Sequence, residues 1–297
     1  MSQPIKDAVQ PEQWYKALPR PQYKTLKQLP SADPWFSVYQ VKPDVYAIYE
    51  PRHFQEVISF LILGSRRALL LDTGLGIGDI KKVVDALYQG ELLVVNTHSH
   101  FDHIGGNHQF PMAHILNHPV AINRLKNGLP YDMVKKNMEG DSTVLPYPEG
   151  FDPDTYHIEP CAFTPVEPGH VFDLGDKKLR VIATPGHSPD SLMLYDEENK
   201  YLFTGDTFYP ATLYAHLESP DGLMSVFDTY RSTMHEVARR FSDYTVFPSH
   251  NEPMRPGSVL TEVAQAFDAI AAGDLPYETD EKGLHKYTFP GFCIITK

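Results

Sequence analysis

Three histidines and one aspartate fall within six consecutive residues of this chain, His98-Ser99-His100-Phe101-Asp102-His103. Imidazole nitrogens and a carboxylate are the donors that a zinc-like divalent cation selects. His98 and His100, two apart, can point to one side, while Asp102 and His103 can point toward a second centre. The plain alternative is a polar loop that holds these groups by coincidence, yet surface loops rarely gather so many neutral donors beside one carboxylate. An apolar run, Leu92-Leu93-Val94-Val95, comes just before and reads as a buried strand. The polar groups then lie where strand gives way to loop, and the Gly105-Gly106 pair behind them lets the backbone turn closely.

The second half of the chain repeats the arrangement. The strand Leu179–Ala183 runs into Thr184-Pro185-Gly186-His187, and a strand resumes over Ser191–Tyr195. Tyr201–Thr204 ends in Gly205-Asp206, and Tyr244–Pro248 ends in Ser249-His250. Each of these is weak alone. Four strand ends, each delivering His or Asp into a loop, form a pattern.

Stepping outward, these loops need strands and helices to hold them. Residues 36–50 read as two short strands joined at Lys42-Pro43-Asp44, and Val57–Leu63 and Ala68–Asp72 as two apolar strands. Asp72 closes the second of these and is expected to hold backbone groups or a ligand histidine in place; a plain turn residue is the alternative. Gly74, Gly76 and Gly78 lack the gap of three that a dinucleotide fingerprint requires, so they mark a tight strand-to-helix turn. A helix follows from Asp79 as N-cap to about Tyr88, with Ile80, Val83, Val84 and Leu87 as its apolar face. Helices are also expected over 120–126, 132–139, 223–241 and 258–272, the last capped by Gly273 and the one before it burying Val226, Tyr230, Met234, Val237 and Phe241. Residues 128–165 are otherwise irregular and read as an insert forming part of the wall that decides substrate choice. Residues 1–36, rich in Pro and scattered aromatics, read as an N-terminal arm laid over a single domain spanning 37–297 or over a partner subunit. The tail Lys286–Ile295 reads as an edge strand or a dimer contact, which leaves a homodimer open.

Composition narrows the function classes. The 297 residues carry 26 Lys and Arg against 38 Asp and Glu, a formal charge of −12, with no basic block. Nucleic acid is therefore not an expected partner, since phosphate binding needs clustered cations. No apolar run reaches membrane-spanning length and the N-terminus lacks the apolar core of a secretory signal, so a cytoplasmic location is the default. The two cysteines, Cys161 and Cys293, make no disulfide scaffold, and Cys161 reads as a packed residue rather than a nucleophile. No Gly-x-Ser-x-Gly elbow is present.

The set of residues resembles the metallo-β-lactamase fold superfamily of metallohydrolases, over about residues 37–273. The HxHxDH motif of that family is matched by His98, His100, Asp102 and His103, and its later single-residue motifs by His187, Asp206 and His250. The resemblance implies an α/β fold, an αββα sandwich of two face-to-face mixed sheets with helices outside. It further implies that His98, His100 and His187 hold one metal, that Asp102, His103 and His250 hold a second, and that Asp206 bridges both. β-Lactam-hydrolysing members typically lack that bridging aspartate, whereas lactonase-like, thioesterase-like and phosphodiesterase-like members keep it.

The implied chemistry is that of two divalent cations, zinc first with iron or manganese as alternatives, sharing a water whose pKa falls toward neutrality. A bridging hydroxide would attack a carbonyl, and Asp102 would pass a proton to the leaving group. Tyr209, three residues beyond Asp206, looks like the tyrosine that N-acyl-homoserine lactonases of the superfamily place over the metals; aromatic packing is its alternative. A small-molecule carboxylic ester, first of all a lactone, is the expected substrate. A thioester, as for glyoxalase II or acyl-CoA thioesterases, is the runner-up, with side activity on β-lactams unsurprising. A metal-bound sensor or binding protein is the non-enzymatic reading.

Overall fold

A computed structural model describes residues 14–273 and 275–297. The first thirteen residues of the expected arm lie outside the described residues.

The first half of the chain builds one sheet whose strands pair in chain order. These are β1 (Lys27–Leu29), β2 (Ser37–Lys42), β3 (Val45–Tyr49), β4 (Ile58–Leu63), β5 (Ala68–Leu71), β6 (Leu92–Val95), β7 (Ala113–Leu116) and β8 (Phe163–Val166). The strands run antiparallel up to β5 and parallel from β5 to β8. Helices α1 (Ile80–Leu87), α2 (Phe101–Ile104), α3 (Pro119–Asn127) and α4 (Tyr131–Val134) fill the connections. The second sheet takes β9 (Val171–Asp173), β10 (Lys178–Ala183), β11 (Leu192–Asp196) and β12 (Tyr201–Gly205). The chain then leaves it for β13 (Thr212–Tyr214) and helix α5 (Phe227–Phe241), and returns with β14 (Thr245–Pro248) and β15 (Arg255–Pro256). After α6 (Ser258–Ala272), strands β16 (Glu278–Thr279), β17 (His285–Phe289) and β18 (Phe292–Thr296) join β13 in a third, smaller sheet.

Alternation along the strands explains the layering, because successive side chains point to opposite faces. On β4 and β5, Ile58, Phe60, Ile62, Leu69 and Leu71 meet Leu179, Val181, Leu192, Leu194, Phe203 and Phe247 of the second sheet in one shared core. The intervening Leu61 and Leu70 face outward onto Ile80, Val83 and Val84 of α1 and Ala121 and Leu125 of α3. On the far side, Ile182, Met193, Leu202 and Val246 pack under Tyr230, Met234, Val237 and Phe241 of α5 and Leu260, Val263 and Phe267 of α6. Three cores between four layers make the αββα sandwich that the resemblance implies. Among the described residues, no helix is long and apolar enough to cross a membrane.

Several local expectations hold at the level of single bonds. The Asp79 carboxylate accepts from the Lys82 N–H at 2.9 Å, capping α1, and Gly273 closes α6 at φ +82°. Others need correction. Helix α5 begins at Phe227 rather than 223, and Val226 is 42 % exposed instead of buried. The Ser225 N–H is bound to the Leu217 carbonyl and its hydroxyl to the His187 carbonyl, which holds that stretch extended. The 132–139 helix is one α turn followed by a 3₁₀ turn over Lys135–Met138, with the Asn137 amide taking the Val134 carbonyl. Strand β18 is no edge strand, since it lies between β13 and β17 and buries Phe292, Cys293 and Ile294.

Candidate metal centre

The polar residues singled out by sequence converge at one end of the sandwich. Beyond β6 the chain passes through His98 and extended His100 into the single turn α2, which carries Asp102 and His103. The end of that turn lies against the loop after β5, where Thr73 N–H donates to the His103 carbonyl at 2.9 Å and Gly105 N–H to the Gly74 carbonyl at 2.9 Å. A Cβ on Gly105 would sit 2.2 Å from the Leu75 backbone, so only glycine allows this approach. Gly205, at φ +51°, brings Asp206 off β12 beside Thr97, with no room for a side chain. His187 follows β10, and His250 follows β14.

Two groups of potential ligand atoms result: His98, His100, His187 and Asp206, and Asp102, His103 and His250, each group lying within 4.8 Å of itself. In the first, His100 Nδ1 stands 2.8 Å from His98 Nε2 and 2.9 Å from His187 Nε2. In the second, His103 Nε2 and His250 Nε2 are 3.3 Å apart. Asp206 lies between them, with Oδ2 3.5 Å from His187 Nε2 and Oδ1 3.0 Å from His250 Nε2. Asp206 Oδ1 is buried without a hydrogen-bond partner.

The outer ring nitrogens set which inner nitrogen carries a lone pair. His103 Nδ1–H donates to Asp72 Oδ2 at 2.8 Å, and His250 Nδ1–H to the Gln55 carbonyl at 2.6 Å. Both therefore turn Nε2 inward, the nitrogen that ligates once its proton has left, as around ligating histidines. Asp72 also accepts from the Thr97 N–H and hydroxyl, so it holds both backbone and histidine. Burial, reinforced by neighbouring imidazoles, pushes His98 and His100 well below the usual histidine range, and burial takes His187 down to about 4. Burial would also lower His103 and His250, but Asp206 with its fellow carboxylates keeps both raised. Asp206, despite burial, is held well below the usual carboxylate range by His250 and His103. Burial lifts Asp102 against the pull of His103 and His250. Lone pairs facing one another at these distances, with an orphaned carboxylate oxygen between them, fit divalent cations rather than a self-satisfied polar cluster.

A cavity of about 410 Å³ opens over His100, Asp102, His187 and Asp206. Phe54, Phe101, Leu217 and Leu223 supply apolar wall, and Leu129, Met133, Val134 and Asn137 bring the 128–165 insert to it. Arg124 also lines it, donating to Asp221 at 2.6 Å and to the Ser99 carbonyl at 3.0 Å.

Tyr209 also lines this cavity. Its ring packs 4.8 Å from that of His250, but its hydroxyl donates its one proton to the Thr212 carbonyl at 2.5 Å. Glu252 pairs with Arg255, and His216 sits against the Ile295 carbonyl, so both are structural. Sequence reasoning missed Gln55, whose contribution is a carbonyl. It also missed Asp190, which accepts from the Ser99 N–H at 2.9 Å, and Tyr230, whose hydroxyl donates to the Thr207 carbonyl at 2.8 Å beside Asp206.

The sec-alkylsulfatase Pisa1 from Pseudomonas sp. superposes with a TM-score of 0.55 at 18% identity, over 79% of this chain and 41% of that one. The DIM-1 metallo-beta-lactamase gives 0.54 at 15% identity, over 80% and 98%. At such identities the likeness is one of fold. Acyl-coenzyme A thioesterase MBLAC2 of Homo sapiens is 31% identical over 167 residues, 52% of this chain and 59% of that protein. The chain thus spans about three fifths of the length of the curated relatives it matches. Residues 55–272 match the sequence profile of the Metallo-beta-lactamase superfamily, a span that includes all seven clustered residues. The chain belongs to that superfamily of metal-dependent hydrolases.

Proposed function

We propose that the chain hydrolyses an acyl thioester at a dinuclear metal centre. The observation that carries this reading is the pair of ligand clusters, with Asp206 reaching toward both, beneath an apolar-walled cavity. His98, His100 and His187 would hold one ion and Asp102, His103 and His250 the other, with Asp206 between them. Imidazole-rich donors suit zinc, and iron or manganese would also be accepted. When bound, such ions supply Lewis acidity and bring the pKa of a shared water toward neutrality.

The chain's own residues do the rest. Asp72 and the Gln55 carbonyl fix the His103 and His250 tautomers. Phe54, Phe101 and Leu223 offer an acyl chain an apolar wall and exclude water from it. Asp102, which lines the cavity beside the His103 and His250 rings, would pass a proton to the departing group. A thiolate is the leaving group that needs this help less, since a free thiol ionises near pH 8.5. The thioesterase relatives support the thioester over the lactone.

The test is a panel on metal-quantified protein: an acyl-coenzyme A, a homoserine lactone, an aryl ester and a β-lactam. Thioester preference, abolished by Asp206→Ala, is expected. Lactone preference would replace the substrate assignment. Two bound metals with no bond cut would leave the binding-protein reading.

A further inference from the structure

We infer that Arg20, in the segment ahead of the main sheet, is a positioning residue for the Asp102–His103–His250 half of the site; the inference rests on the dinuclear reading above. Arg20 is only 5 % exposed and grips Glu56 with both arms of its guanidinium, Nε to Oε2 at 2.7 Å and Nη2 to Oε1 at 2.6 Å. Bidentate pairing of this kind fixes direction as well as charge. The Tyr49 hydroxyl and the Asn251 amide donate to the same carboxylate, at 2.5 Å and 3.2 Å.

What Glu56 does next links the arm to the site. Its own φ is +46° and that of Asn251 is +65°, two non-glycine residues in the left-handed region. Such conformations persist only where the surroundings over-determine them. The two strained residues face each other, with Asn251 N–H donating to the Glu56 carbonyl at 3.1 Å. Each stands next to a residue that matters: Gln55, whose carbonyl accepts from His250 Nδ1–H at 2.6 Å, and His250 itself. The peptide between Gln55 and Glu56 thus sets the tautomer and aim of the His250 ring, and Arg20 anchors that peptide by its side chain.

The anchor is itself well seated. Arg20 leads into the 3₁₀ turn Pro21–Thr25, where Tyr23 stacks 4.6 Å from Tyr49 and enters the core between the sheets. Without Arg20, the Glu56 carboxylate, 0 % exposed, is a buried charge without this cation. It must move toward water, and that shifts the 55–56 peptide.

The experiment is a Zn²⁺ titration of the full chain against a chromophoric chelator, for wild type, Arg20→Ala, Glu56→Gln and His250→Ala. Wild type should bind two equivalents; fewer would sink the dinuclear reading itself. In Arg20→Ala, one equivalent keeps its affinity and the other weakens at least tenfold, the scale of a lost outer-sphere contact. Adding Arg20→Ala to His250→Ala should leave the remaining equivalent unmoved. If Arg20→Ala does not fold, Glu56→Gln breaks the same pair isosterically and should show the same selective loss. Two equivalents at wild-type affinity, or equal weakening of both, would overturn the assignment.

Discussion

Replacing Asp72 by Asn tests the outer support of the site with the smallest perturbation. Asp72 has φ +62°, a conformation that Asn adopts more readily than most residues, so the backbone should not move. Oδ1 accepts from the Thr97 N–H at 2.7 Å, while Oδ2 faces His103 Nδ1 at 2.8 Å and the Thr97 hydroxyl at 2.8 Å. The Thr97 N–H can only donate, which keeps an oxygen at the first position and puts the new amide NH₂ at the second. His103 Nδ1 must then accept, and its proton moves to Nε2, the atom facing Asp206 at 3.3 Å. A protonated Nε2 cannot ligate a metal. We expect one of two Zn²⁺ equivalents to weaken by about 10- to 100-fold, or roughly 1.4–2.7 kcal/mol. Loss of a charged hydrogen bond should lower folding stability by about 1.5–3 kcal/mol. Chelator competition and urea unfolding of the metal-free protein read the two effects separately. Asp72→Asn binding both equivalents like wild type would refute the tautomer argument.

Two further outcomes follow from buried groups near the site. Tyr209→Phe should leave the turnover number within about threefold and cost about 1 kcal/mol of stability, because the hydroxyl bonds to Thr212 rather than to a substrate. A hundredfold loss of turnover with both metals retained would instead restore an oxyanion-donor role. Burial raises the Glu50 carboxyl from 4.5 to about 7, even though Trp35 Nε1–H and Leu75 N–H donate to it. Its folded value exceeds its unfolded one, so its contribution is complete below about pH 4.5 and is lost as pH rises through 7. That loss amounts to about 3 kcal/mol. The urea midpoint of wild type should therefore fall toward that of Glu50→Gln between pH 4.5 and 8, and a pH-independent gap would contradict the assignment.

The sequence carried the site wherever function depends on side-chain identity next to a recognisable strand end. His98 to His103 are contiguous, and His187, Asp206 and His250 each follow an apolar run, so local pattern sufficed to nominate them. Asp72 was legible for the same reason. Gln55 was not, because any residue can offer a carbonyl and only tertiary structure reveals which one His250 meets. Arg20 lies 36 residues from its partner Glu56, beyond any local spacing rule. The place of Tyr209 on the cavity wall was legible from its position after Asp206, but the direction of its hydroxyl was not. Val226 fitted a helical period, yet the bonds of the Ser225 N–H and hydroxyl outweighed that period.

The seven clustered residues come from both sheets: His98, His100, Asp102 and His103 from the end of β6, His187, Asp206 and His250 from the ends of β10, β12 and β14. The centre is consequently a gauge of how the two halves of the sandwich are seated on each other. The stacked Phe203 and Phe247, with Phe60 edge-on to both at 5.6 Å and 5.7 Å, act as the spacer that sets the gauge. A side chain of different thickness there would slide one half of the donor set against the other, while ions bound across the seam would rivet the halves together.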